Sequence, residues 1–123
     1  RVIFISLKDL KGDTWEECLK RLKLFIFDLY AEFEYIREKM NEWDKRKFEK
    51  VLYENEDADY IMSLKFLADS LYKYHGEKVI ILIDEYDAPI INAFDKGYYN
   101  EAINFFLLSK LWKHLYIRKC LYS

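Results

Sequence analysis

A chain of 123 residues with 52% apolar and 19% aromatic content has the material for one hydrophobic core, which excludes a disordered tail. Twenty basic residues against 22 acidic ones leave a net charge of −2, which argues against broad electrostatic attraction to nucleic acid or an anionic membrane, so that any nucleic-acid contact would be local. The strongly apolar runs, such as residues 79–83, fall far short of the roughly 20 residues a membrane span needs, and no signal-peptide pattern opens the chain, so the expected location is cytoplasmic.

The chain opens at Arg1, without a methionine, and enters an apolar run at once. The expectation is therefore a partial domain over residues 1–123, cut from a longer protein. Residues 2–7 (VIFISL) form a nearly unbroken apolar, β-branched run without alternation, the pattern of a parallel strand covered on both faces. Residues 79–83 (VIILI) repeat it. The long stretch between the two runs is helical in period, so a helical crossover between parallel strands fits and a hairpin does not. The fold class is α/β.

Asp13-Thr14-Trp15-Glu16 reads as a capping box, with Asp13 accepting from the Glu16 amide. Apolar positions from Trp15 through Leu22, Ile26, Leu29, Phe33 and Ile36 to Met40 recur at threes and fours, predicting one long amphipathic helix. A charged stretch, residues 41–50, leads into a short helix carrying Phe48, Val51 and Leu52, and the acidic residues 54–59 serve as loop and cap. The stripe Ile61, Leu64, Leu67, Leu71 and Tyr74 stops at Gly76, a left-handed helix end followed at once by the second strand. Asp87 then precedes Ala88-Pro89, and proline in a first helical turn loses no needed hydrogen bond, predicting a helix to about Phe94 that Asp95-Lys96-Gly97 breaks. Helical spacing resumes from Tyr98 to about His114.

In a parallel α/β sheet, ligands gather at the carboxyl ends of the strands. Asp84-Glu85-Tyr86-Asp87 lies at that end of the second strand. Phosphoryl transfer needs a rigid carboxylate to fix Mg²⁺, directly or through water, and a second group to orient the attacking water. Asp84 and Glu85 suit those two tasks, as in a Walker B strand. The bare pattern is common, however, and a buried strand ending at solvent with two acids is its bland reading.

Further residues narrow the choice. Ser63 to Leu67, Leu71 to Gly76, the LIDEYD motif running into Ala88-Pro89, then Asn92-Ala93, Gly97-Tyr98-Tyr99 and residues 102–105 together resemble the predicted AAA-ATPase-like family of bacterial P-loop proteins. The opening Ser6 to Asp9 with Gly12 and Thr14 to Glu17 is similar to that family's segment after its phosphate loop. The resemblance implies a partial three-layer P-loop fold, ATP and Mg²⁺ as ligands, Asp84 as the Mg²⁺-associated aspartate and Glu85 as the water-polarising glutamate. It also implies a GxxxxGK[ST] loop before the first strand, later sensor strands, and often a nuclease-like domain toward the C-terminus of full-length members. Gly12, Gly76 and Gly97 have no phosphate-loop spacing, so residues 1–123 alone are expected not to bind ATP usefully.

Two other classes of function stay open. A metal-dependent nuclease would use Asp84, Glu85 and Asp87 directly, although Lys78 lies at the wrong end of the strand to assist. A regulatory or interaction domain would keep only the ATPase shape. Asp87 is read as a helix cap rather than a metal ligand, Tyr86 as packing, His75 and His114 as surface or cap residues, and Cys18 and Cys120 as ordinary thiols rather than a disulfide or zinc pair. The tyrosines Tyr72, Tyr74, Tyr98 and Tyr99 are assigned to helix–sheet packing, and Lys110, Lys113, Arg118 and Lys119 to a solvated face.

Overall fold

The two apolar runs are parallel neighbours, paired from Val2 with Ile80 to Ser6 with Asp84. In the computed structural model, which describes residues 2–53, 59–85, 87–108 and 115–118, the order is β1 (Val2–Ser6), α1 (Trp15–Glu32), a 3₁₀ helix (Glu34–Lys39), α2 (Glu42–Leu52), α3 (Ser63–His75), β2 (Ile80–Asp84), α4 (Asp87–Lys96), α5 (Tyr99–Leu108) and β3 (Leu115–Arg118). The chain is α/β, as expected. A third strand joins the two expected ones: β3 pairs parallel with β2, so the order is β1-β2-β3, with Ser6, Asp84 and Arg118 in one register row at the carboxyl end.

Strand order that steps one way across a sheet, with right-handed crossovers, puts every helix on the same face. Burial follows that geometry. Ile3, Ile5, Ile81 and Ile83 enter one core with Leu22, Ile26, Phe48, Leu67 and Leu71 from the helices. The alternate residues lie on the opposite face, where Val2 and Phe4 remain 58% and 54% exposed. Continuous apolar runs had predicted strands covered on both faces; among the described residues the sheet carries its helical layer on one.

The helices also depart from the expected boundaries for local reasons. Thr14, not Asp13, caps α1: its Oγ1 accepts from the Glu17 amide at 3.2 Å, and the Glu17 carboxylate reaches back to the Asp13 amide at 3.3 Å. The capping box is present but displaced by one residue. The apolar stripe continues to Met40, yet α1 ends at Glu32 and the chain tightens into the 3₁₀ helix, which still buries Ile36. Periodicity reports which face is buried and is nearly blind to an α-to-3₁₀ change. Asn41 caps α2 by accepting from the Asp44 amide at 2.8 Å, and Gly76 ends α3 at φ 71°, as its composition predicts.

Tyr30 ties the helical layer together. Its ring packs on Phe48 with centroids 4.7 Å apart, and its hydroxyl donates to the Ser63 carbonyl at 2.6 Å at the start of α3. Burial holds that phenol well above its ordinary pKa. No described helix is long and apolar enough to cross a membrane.

Candidate functional site

The carboxyl end of β2 is held from both sides. The Asp84 carbonyl accepts from the Leu7 amide at 3.1 Å, which carries the ladder one residue beyond β1. The Asp84 carboxylate is oriented locally: its Oδ1 accepts from the Glu85 amide at 3.1 Å. Strand alternation places Asp84 on the same face as Val2, Phe4, Ile80 and Leu82, away from the helices.

Glu85 leaves the strand by another route. Its φ of 52° is the only positive value at a non-glycine among the described residues. The left-handed conformation costs a residue with a Cβ about 1 kcal/mol, and here it turns the chain from β2 into α4. The Glu85 carbonyl accepts from the Ala88 amide at 3.2 Å, starting the helix. Asp84 thus stays on the sheet face while Glu85 leaves it through a left-handed bend. Asp87, expected as the residue before the helix, is its first residue. Its charge lies at the positive end of the helix dipole. Pro89 follows in the first turn and is buried, while Tyr86 lies outside the described residues.

Glu85 opens onto a cavity of about 380 Å³ lined also by Lys11, Asp87, Ala88, Ile91, Asn92 and Asp95. The structure brings Glu85 and Asp87 together there; Asp84 stands next to the cavity without lining it. Lys11 comes from the loop after β1, and that loop is pinned to Asn92 of α4 and to Tyr98, the residue before α5. The Gly12 amide donates to Asn92 Oδ1 at 3.0 Å, and the Tyr98 hydroxyl lies 2.6 Å from the same oxygen and 3.0 Å from the Gly12 carbonyl. Glycine is required at position 12 by the close approach of α1, since a Cβ there would meet the Cys18 backbone nitrogen at 2.7 Å. Burial, helped by the neighbouring Cys18 thiol, pushes the Tyr98 hydroxyl up to about 12, and burial likewise raises Cys18.

With this geometry established, comparison with known proteins decides the family. The family model described as a predicted AAA-ATPase matches residues 1–119. The chain belongs to the AAA-ATPase-like family. No curated protein and no solved structure matches it. Family membership suggests ATPase activity, and with it the use of a nucleotide and Mg²⁺.

The site of this AAA-ATPase-like chain suits Mg²⁺ in one particular way. Mg²⁺ takes oxygen ligands in strict octahedral geometry, keeps several waters, and is usually held by one or two carboxylates together with substrate phosphates. A single oriented carboxylate at a strand end, Asp84, fits that use. Among the described residues no three His, Cys, Asp or Glu side chains converge to hold a metal by themselves.

The remaining candidates separate. His75 is the last residue of α3, half-buried, with Nε2 2.9 Å from the Tyr35 hydroxyl and its ring against Tyr35 and Tyr74, while Gly76 is the cap. Of the four tyrosines assigned to packing, only Tyr98 is core; Tyr72, Tyr74 and Tyr99 are 51%, 37% and 41% exposed. Helical spacing does not distinguish a tyrosine that packs from one whose ring rests on the surface. Cys18 is a buried free thiol. His114, Cys120, Lys110, Lys113 and Lys119 lie outside the described residues, as does the acidic segment at 54–58; Asp59 beside it caps the turn before α3, accepting from the Met62 amide at 3.2 Å. Lys11 and the Gly12–Asn92–Tyr98 contact were not assigned roles from sequence. Gly12 and Asn92 are 80 residues apart, and no local pattern links a loop glycine to an asparagine on a distant helix.

Proposed function

We propose that Asp84 and Glu85 form the magnesium and water-orienting pair of an ATP-hydrolysing site. The observation that carries this reading is the divergence at the end of β2: Asp84 is oriented by the Glu85 amide, and Glu85 is turned by its left-handed backbone into a cavity large enough for water and a phosphoryl group. Asp84 holds Mg²⁺ directly or through a coordinated water. Bound there, Mg²⁺ would neutralise charge on the phosphate oxygens. Glu85 orients the attacking water and accepts its proton as the terminal phosphoryl bond breaks. The left-handed strain at Glu85 is of the kind stored at functional positions, where the surrounding structure compensates for it.

Backbone amides and a lysine of a glycine-rich loop supply most phosphate binding in such enzymes. None of Gly12, Gly76 and Gly97 has that spacing, so such a loop would come from outside residues 1–123. A nuclease acting through carboxylates alone would need several of them around its metals, and the described acids do not converge that way. Replacing Glu85→Gln in the natural full-length protein tests the proposal. ATP binding is retained and hydrolysis falls by about 10²-fold or more. Unchanged hydrolysis removes Glu85 from the mechanism.

A further inference from the structure

Three features of the cavity beside Glu85 take no part in holding Mg²⁺ or orienting water: Lys11, the loop that carries it, and Asn92. Among the cavity's charged lining residues Glu85, Asp87 and Asp95 are acids and Lys11 is basic. A phosphate-bearing anion entering there meets repulsion from three sides and attraction from Lys11. A lysine on a mobile loop gives little, because its long side chain must be ordered on binding.

This loop is fixed at closely spaced points. It leaves β1 through the Leu7 amide's bond to the Asp84 carbonyl and turns with the Leu10 amide on the Leu7 carbonyl at 3.1 Å; the Lys11 amide donates to the Asp9 carbonyl at 2.9 Å. At Gly12 it is anchored by Asn92 and Tyr98. Beyond that, Asp13 pairs with Lys96 of α4 at 3.2 Å. Lys11 is thus held between a tie to the residue that fixes Mg²⁺ in the proposed reading and a tie to a helix residue that lines the same cavity. One turn before Asn92 on α4 stands Ala88, small enough to leave the space open.

We infer that Lys11 is the phosphate-contacting cation of this cavity, and that Asn92 is its positioning residue, acting through the Gly12 amide. The inference rests on the ATPase reading of Asp84 and Glu85. Asn92 uses its oxygen as the acceptor for Gly12 and lies beside the Tyr98 hydroxyl, so Asn92→Leu removes that acceptor without adding charge.

The test is steady-state ATP hydrolysis and Mg·ATP titration on the full-length protein and its variants, with folding checked by circular dichroism. K11A raises KM by about tenfold or more, the loss of one charge-assisted hydrogen bond, while kcat changes by far less. N92L shifts KM in the same direction, and the double variant K11A/N92L is no worse than K11A, because both remove one interaction. K8A, which removes the same charge from the same loop away from the cavity lining, leaves KM unaltered. Additive effects of K11A and N92L, or a K11A enzyme with wild-type KM, overturn the inference. Should N92L fail to fold, K11A against K8A still decides it. E85Q run alongside separates the two levels: an inactive E85Q with a normal K11A refutes only the role of Lys11, whereas a fully active E85Q refutes the site and this inference with it.

Discussion

The amide of Gly12 donates to the side-chain oxygen of Asn92 at 3.0 Å, joining the loop after β1 to the helix after β2. The same loop packs closely against the start of α1, and that approach demands glycine at position 12. A methyl group at position 12 would lie 2.7 Å from the backbone nitrogen of Cys18, which a helix terminus cannot yield cheaply. Gly12→Ala therefore lowers stability by about 1–3 kcal/mol, the usual cost of overpacking. The same change pushes the loop off Asn92. Urea unfolding of the variant measures the first effect, and amide hydrogen exchange at Lys11 and Gly12 measures the second.

Tyr98 holds the other end of this contact and gives it a pH dependence. The phenol ionises near 10 when unfolded and only at about 12 when folded. The folded value is raised, so its contribution to stability is fully present below pH 10. Between pH 10 and 12 the unfolded chain releases the proton while the folded one keeps it, and stability falls. Tyr98→Phe removes that part of the alkaline loss and also removes the bond to Asn92. Denaturation midpoints between pH 8 and 12 should show a shallower decline in the variant than in the parent. A residual slope remains, since Tyr30 is shifted in the same direction.

The start of α1 decides between two caps. Thr14 Oγ1 accepts from Glu17, and Asp13 contributes its amide rather than its carboxylate to the box. Thr14→Ala costs about 1 kcal/mol, while Asp13→Ala loses only an exposed pairing with Lys96, 3.2 Å away, of the kind worth at most about 1 kcal/mol. Thermal melts of the two single variants separate the caps. A larger loss for Asp13→Ala contradicts the observed box.

Much of this arrangement is legible in the amino-acid sequence. The parallel strands, the helical crossover, the glycine end of α3 and the position of Asp84-Glu85 at a strand terminus all follow from patterns confined to a few neighbouring residues. Those patterns survive folding because hydrophobic period and turn chemistry act locally. What local patterns missed is set by packing at long range. An unbroken apolar strand reads alike whether one face or both are covered, so the exposure of Val2 and Phe4 was not visible. A stripe at threes and fours persists through the change from α1 to the 3₁₀ helix. Lys11 carries no local signal of its own; the Gly12–Asn92 contact fixes its loop at the cavity that Glu85 also lines.

Glu85 joins function to strain, and its backbone offers a test independent of turnover. At φ 52° an alanine meets the same Cβ crowding as glutamate, whereas glycine occupies that conformation freely. Both Glu85→Ala and Glu85→Gly delete the carboxylate and should abolish hydrolysis alike. Their stabilities should differ: relief of strain favours glycine by about 1 kcal/mol, offset in part by glycine's greater freedom in the unfolded chain. Glu85→Gly is therefore at least as stable as Glu85→Ala in urea, the reverse of the order expected at an ordinary strand or helix position. An alanine variant clearly more stable than the glycine one would show that the turn after β2 is not held left-handed. The explanation of how Glu85 reaches the cavity while Asp84 stays on the sheet face would then fail.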